Sequence, residues 1–168
     1  MKKILILFCC GSLAISSLAQ TSYYKGEWTT LNSTDLFTGI FKIDIGKDNT
    51  VSGTLVWTYI SVDSSKSEMV DLYKGKKGKK GIEYVSGTYN PLTRDMSFEG
   101  NKKDDPDNVI GVDKYSLKLS TDRSTLYGTT NHGGTNDGFF LARKIDRAIA
   151  EKQINADKRI LDKKYKSL

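Results

Sequence analysis

The sequence predicts an all-β fold, an up-and-down antiparallel meander that closes into a β-barrel of about eight to ten strands, followed by a C-terminal α-helix. Three observations predict this fold. Short runs of alternating apolar and polar residues, separated by turn residues, extend from Tyr23 to Arg143, and this period of two is typical of half-buried antiparallel strands. Glycines recur near the middle of these runs. From Lys144 onward the chain has no glycine or proline, which favours a helix.

The clearest strands form a hairpin. In FTGIFKIDI, Phe37 and Phe41 share one face while Lys42 faces the other side, and the turn GKDN leads into TVSGTLVWTYI, where Trp57 and Tyr59 share a face. The same pattern predicts seven further strands, at residues 24–30, 69–74, 82–89, 95–100, 109–119, 125–130 and 138–143. Nine strands would make the first and last strands of a closed meander parallel. Either one strand is miscounted, with 69–74 having the least support, or the closure is irregular.

Five glycines occupy positions inside these strands, although glycine weakens a strand and removes a side chain from its packed face. They are Gly39, Gly53, Gly87, Gly111 and Gly128. A sheet that coils and closes needs points where the backbone can bend and where an inward side chain is absent. Closure also removes the exposed edges of an open meander. The glycines therefore favour a barrel, and we expect them to leave room inside it.

The first residues have the pattern of a secretory signal peptide. Lys2 and Lys3 precede an apolar run that begins at Ile4, and the small residues at 17–19 are suited to cleavage. The apolar run is shorter than the roughly 20 residues that a spanning helix needs. We therefore predict a signal peptide at residues 1–19 and a secreted or periplasmic protein.

The remaining chain is predicted to have a barrel domain at residues 20–143 and a basic helix at 144–168. Both cysteines, Cys9 and Cys10, lie in the signal segment. The exported chain would therefore have no disulfide and no thiol chemistry, and its stability would come from its core.

The basic residues are concentrated at the C-terminal end. From Arg143 onward there are nine basic and four acidic residues, whereas residues 20–142 have 15 basic and 16 acidic ones. A nearly neutral, exported barrel argues against nucleic acid as a partner. The loop at residues 74–81, with five lysines and three glycines, and the basic helix could contact an envelope protein or an anionic surface. The alternative is a flexible, solvated loop.

Two short motifs resemble the calycin superfamily, which includes the lipocalin, fatty-acid-binding and avidin barrels. Gly26 and Trp28 form a Gly-x-Trp motif on the first strand, and FFLAR ends the last strand at Arg143. The resemblance covers residues 23–143. It implies that Trp28 packs against Arg143 and closes the barrel, through a cation-π contact.

Aromatic residues are the main candidates for a ligand site. Strand alternation places Trp57, Tyr59, Tyr115 and Phe139 on the inner face, where they could line an interior pocket for an apolar or ring-containing ligand. They could equally fill the core completely. The sequence leaves these two alternatives open.

The sequence offers little for catalysis. His132 is the single histidine, so it has no partner from which to build a metal site or a nucleophile and base pair. The acidic segment at 104–108 could hold Ca²⁺, but is better interpreted as a turn. We predict no catalytic residue, no metal site and no cofactor.

Two functional hypotheses follow. The first is an exported, non-catalytic barrel that binds a small apolar or amphipathic molecule in its interior. The alternative is a protein-interaction or inhibitor module of the cell envelope that uses its loops and basic C-terminal helix. An enzyme is a third and weaker interpretation.

Overall fold

A computed structural model describes residues 19–31, 35–63, 65, 70–131 and 138–166. The signal segment up to residue 18 and His132 lie outside this part of the chain. In chain order the elements are β1 (Gln20–Thr30), β2 (Asp35–Ile45), β3 (Thr50–Val62), α1 (Val70–Tyr73), β4 (Lys80–Asn90), β5 (Asp95–Asp104), β6 (Lys114–Leu119), β7 (Thr125–Asn131), β8 (Gly138–Lys144) and α2 (Arg147–Tyr165). Neither of the two helices within the described ranges is long and apolar enough to cross a membrane.

The eight strands form one closed barrel in which each strand pairs with the next along the chain. The first and last strands, β1 and β8, pair antiparallel, with Gly26 opposite Ala142. The predicted all-β, up-and-down barrel with a C-terminal helix is therefore confirmed. An even strand number also removes the difficulty of a parallel closure.

Two of the predicted strands are wrong in whole or in part. Residues 70–73 form the short helix α1, because β3 pairs directly with β4 and leaves no ladder for the segment between them to join. The predicted strand at 109–119 begins only at Lys114. The backbone N–H groups of Val109 and Ile110 instead donate to the Asp105 carboxylate, each at 2.8 Å. These two groups are therefore not available to a β-ladder.

The strand glycines allow close packing between neighbouring strands. A Cβ atom at Gly87 would lie 2.0 Å from the carbonyl oxygen of Ser97, and one at Gly128 would lie 2.2 Å from that of Ser116. These glycines therefore admit neighbouring backbone and do not leave the room that we expected inside the barrel. Gly111 lies in the exposed connection between β5 and β6 and not in a strand, so its predicted place is wrong.

Aromatic rings meet across the middle of the barrel. The Phe140 ring on β8 lies 5.2 Å from Phe41 on β2 and 6.0 Å from both Trp57 on β3 and Tyr115 on β6, measured between ring centroids. We call these four residues the packed layer. All four are buried, and they connect strands on opposite sides of the barrel. At this level the barrel is filled by side chains.

Helix α2 lies along the outer wall. Asp146 caps its N-terminus by accepting hydrogen bonds from the first turn, the arrangement that favours a helix start. Ile154 and Leu161 are buried in a second apolar cluster with Val56 and Ile82, which point outward from the sheet. The predicted helix is thus present, and packing against the barrel holds it there.

The predicted contact between Trp28 and Arg143 does not form. Arg143 is exposed on the outer wall, whereas Trp28 points inward and its indole Nε1 donates to Thr130 Oγ1 at 2.5 Å. A Cβ atom at Gly138 would lie 2.4 Å from the indole, so the absence of a side chain there makes room for the ring. The barrel closes through the β1–β8 ladder and this indole, and not through a cation-π contact.

Candidate functional site at the long-loop end

The two ends of the barrel differ in their connections. At one end the hairpins at residues 46–49, 91–94 and 120–124 are short. At the other, which we call the long-loop end, residues 63–79 and 105–113 make longer connections. Loops that are held by a rigid scaffold are where binding residues are most often found. Binding residues are therefore expected at the long-loop end.

Four aromatic rings, which we call the mouth cluster, gather at this end. Phe37 contacts Trp28 at 5.4 Å and Tyr59 at 5.2 Å, both edge to face. Tyr73 of α1 stacks on Tyr59 with 4.7 Å between ring centroids. Phe37 and Tyr59 are buried, whereas Trp28 and Tyr73 are only partly buried. The mouth cluster therefore offers aromatic surface to an incoming molecule.

A buried carboxylate lies near the mouth cluster and affects its tyrosines. Burial and then the charge of Asp35, itself buried, raise the pKa of Tyr73 to about 12. The same two causes raise the pKa of Tyr59. Both hydroxyls therefore stay protonated at neutral pH and can donate hydrogen bonds. The site combines apolar rings with a few polar groups, as ligand sites usually do.

Glu83 lies inside the barrel next to the packed layer and is only 1% exposed. Its carboxylate accepts hydrogen bonds from the Tyr115 hydroxyl at 2.5 Å, from the Asp113 backbone N–H at 2.9 Å and from Trp57 Nε1 at 3.4 Å. A Cβ atom at Gly100 would lie 2.1 Å from Glu83 Oε1, so that glycine makes room for the carboxylate.

The environment of this carboxyl shifts its protonation. Burial raises the pKa of Glu83 to about 7, and the hydrogen bonds from Tyr115 and Asp113 lower it by less than burial raises it. Burial, followed by the charge of Glu83, also raises the pKa of Tyr115 well above its usual value. Glu83 is therefore an interior group whose charge changes near neutral pH.

A covering segment, residues 105–110, folds over the long-loop end. Val109 and Ile110 belong to the main core cluster. The segment is tied to its surroundings by Lys103 Nζ, which donates to the Ile110 carbonyl at 2.6 Å, and by Tyr165 of α2, whose hydroxyl accepts from the Asp105 N–H at 2.7 Å. Asp105 thus has a structural role in the acidic turn, where we had considered Ca²⁺.

The predicted wall residues do not form one surface. Trp57, Tyr59 and Tyr115 point inward as predicted. Trp57 and Tyr115 belong to the packed layer, whereas Tyr59 belongs to the mouth cluster. The predicted inward position of Phe139 is wrong. This residue is 52% exposed on the outer wall, and its neighbour Phe140 occupies the interior.

Sequence reasoning missed two residues of this end. Glu83 shares strand alternation with the inward Val85 and Tyr89, and this spacing could have identified it. Tyr73 could not have been found, because its segment was interpreted as a strand. No group of three or more His, Cys, Asp or Glu side chains in the described part of the chain is placed to hold a metal ion.

No family model, no curated protein and no solved structure matches the chain.

Proposed function

We propose that this chain is an exported, non-catalytic, calycin-like barrel that binds a small apolar or amphipathic molecule at its long-loop end. The single observation that carries the proposal is the mouth cluster, in which the partly exposed rings of Trp28 and Tyr73 continue inward to the buried rings of Phe37 and Tyr59. Export is supported by the signal-like pattern at residues 1–19.

The chemistry of the mouth cluster supports an amphipathic ligand. Its ring faces favour an apolar or aromatic group, since burying apolar surface is the main favourable term in binding. The hydroxyls of Tyr59 and Tyr73 favour a ligand that also carries hydrogen-bonding groups, because a tyrosine hydroxyl can both donate and accept hydrogen bonds. The packed layer limits how deeply such a ligand can enter. We therefore expect a shallow site above Trp57 and not a ligand in the middle of the lumen.

Two tryptophans, Trp28 in the mouth cluster and Trp57 in the packed layer, allow a direct test. Trp57→Phe leaves Trp28 as the only fluorophore of its kind, and Trp28→Phe leaves Trp57. Each protein would be titrated with palmitate, retinol and anilinonaphthalene sulfonate while its tryptophan emission is recorded. We expect a saturable change from Trp28 and little change from Trp57.

Two further variants give the matched comparison. Tyr73→Ala should weaken binding by about tenfold, the loss expected for one aromatic contact. Phe139→Ala removes a ring from the outer wall and should bind as the unmodified protein does. Equal effects of the two substitutions, or no saturable change with any probe, would count against the proposal.

A specific feature of α2 favours the alternative function, an envelope interaction module. Ile149 is 65% exposed and Ile160 is 59% exposed. They are separated by about three helical turns, so they lie on the same face, with the exposed Lys152 and Lys163 close by. An apolar and basic stripe of this kind suits an envelope protein or an anionic surface, together with the Lys-rich loop.

The alternative is tested by recovery from envelope extracts. Bait protein with Ile149→Ser and Ile160→Ser would be compared with unmodified bait, and Ala156→Ser, on the same exposed face, is the control. Loss of a defined partner with the double variant alone would support the interaction module. Equal recovery with all three baits would leave it without support.

A further inference from the structure

A groove of about 450 Å³ crosses the outer wall of the barrel over strands β4 to β7. It is separate from the mouth cluster and from the face that α2 covers. Met96, Tyr115 and Leu117 point inward from these strands, so the residues that alternate with them form the outer surface. A groove of this size is within the range of small-ligand sites.

Three hydroxyl side chains line the groove in one row, which we call the hydroxyl floor. Thr88 on β4 lies opposite Ser97 on β5, and Ser97 lies opposite Ser116 on β6. Neighbouring strands are about 4.8 Å apart, so these hydroxyls form a regular row across the sheet. Each hydroxyl can both donate and accept hydrogen bonds. Thr129 on β7 continues the row opposite Ser116 but does not line the groove.

Compensated charges flank the hydroxyl row on both sides. On one side the Asp95 carboxylate lies 3.5 Å from Lys118 Nζ. On the other, outside the groove, Glu99 lies 3.8 Å from Lys114. Each pair joins β5 to β6. On β5, Asp95 lies two residues before Ser97 and Glu99 lies two residues after it, so both pairs are on the same face of the sheet as the serines. The floor is therefore close to neutral, and no single sign of charge dominates it.

An exposed aromatic ring borders the groove. Tyr127 on β7 is 44% exposed, follows Lys118 in the same row across the sheet, and lines the groove. Its ring gives a flat apolar surface beside the hydroxyl floor, and its own hydroxyl adds a polar group. The groove thus combines a hydrogen-bonding floor with one aromatic border.

We infer that this groove is a binding site for a neutral oligosaccharide. A sugar chain carries many hydroxyl groups for the Thr88, Ser97 and Ser116 row, and C–H faces that can lie against the Tyr127 ring. A purely apolar ligand would bury the hydroxyls without partners, which is costly. An anion would lie close to the carboxylates of Asp95 and Glu99, and a cation would lie close to the ammonium groups of Lys118 and Lys114. Each would therefore meet a charge of its own sign. The combination of neutrality, hydroxyls and one exposed ring selects a sugar.

The experiment uses the exported chain labelled with ¹⁵N and a panel of short neutral oligosaccharides built from glucose, mannose, xylose or N-acetylglucosamine. Affinity is measured by calorimetry, and the site is located by amide shifts. At least one oligosaccharide should bind saturably and shift the amides of Ser97, Ser116 and Tyr127. The amides of Trp28 and Tyr73 in the mouth cluster should not move.

Matched variants assign the binding to the groove. Tyr127→Ala should weaken binding by about tenfold, and Phe139→Ala, an exposed ring outside the groove, should leave it unchanged. Thr88→Val removes a floor hydroxyl and should weaken binding about fivefold, the effect of one net hydrogen bond. Thr129→Val removes a hydroxyl of the same row outside the groove and should have no effect.

Three outcomes would overturn the inference. They are the absence of saturable binding by every neutral oligosaccharide, amide shifts confined to another surface, and equal effects of the groove variants and their controls. Binding restricted to charged polymers, tested with heparin as the anionic probe and poly-lysine as the cationic one, would also contradict it. Loss of mouth-cluster binding by Tyr73→Ala would leave this result untouched, because the two sites share no residue.

Discussion

Replacing Glu83 with glutamine should remove a loss of stability that the protein undergoes as pH rises. Burial raises the pKa of Glu83 from 4.5 to about 7 in the folded protein. Between these values the folded state holds the proton and the unfolded state releases it. The free energy of unfolding therefore decreases as pH rises through this window, and Glu83 contributes its full stability only below the window.

The expected magnitude follows from the size of the shift. Each pKa unit corresponds to about 1.4 kcal/mol, so the whole window corresponds to about 3 kcal/mol. Glutamine has nearly the same shape and does not titrate. Its amide can still contact the hydroxyl of Tyr115 in place of the carboxyl. The difference in stability between the two proteins should therefore shift by about 3 kcal/mol in favour of the glutamine variant as the pH rises from about 4 to about 8.

The assay is urea unfolding followed by tryptophan fluorescence at several pH values. Subtracting the two proteins at each pH cancels the other titrating groups, which they share. Glu99→Gln is the matched control, because the Glu99 side chain is 61% exposed and should change stability by no more than about 0.5 kcal/mol at any pH. A constant difference between Glu83→Gln and the unmodified protein across this range would refute the reasoning.

Three further predictions concern the fold, each measured as the change in unfolding free energy by urea denaturation. Phe140→Ala should cost about 3–5 kcal/mol because it removes the central ring of the packed layer, whereas Phe139→Ala should stay within about 0.5 kcal/mol; similar values would contradict the assignment of the two faces. Gly87→Ala should cost about 1–3 kcal/mol because its Cβ would lie 2.0 Å from a carbonyl oxygen of β5, and a neutral result would show that the sheet is less tightly coiled. Asp146→Ala should cost about 1 kcal/mol by removing the N-terminal cap of α2, and no change would mean that α2 contributes little to stability.

Strand alternation was sufficient to predict most of the barrel. The exceptions have local causes. Residues 69–74 look like a strand, but residues 70–73 form a helix, because the direct pairing of β3 with β4 leaves no ladder for them to join. In β8 the letters FFLA place apolar residues on both faces, so alternation alone could not tell Phe139 from Phe140. The structure resolves this, because Phe140 lies opposite the inward Trp28.

The helix and the site show a second limit of prediction from the sequence. The sequence places apolar residues on two faces of α2, and only contact with the barrel determines that Ile154 and Leu161 are buried while Ile149 and Ile160 are exposed. Inward aromatic residues were also visible. Whether they line a pocket or fill the core depends on contacts between strands far apart in the chain, and a periodic pattern carries no information about these.

Direct contact between rings across the lumen is the claim on which the shallow ligand site depends. The most direct measurement is a nuclear Overhauser experiment on protein with labelled aromatic side chains. We predict cross-peaks from the Phe140 ring to the rings of both Phe41 and Tyr115. Their absence, while cross-peaks between Gly26 and Ala142 show that β1 and β8 remain paired, would reveal a hollow barrel and contradict this account.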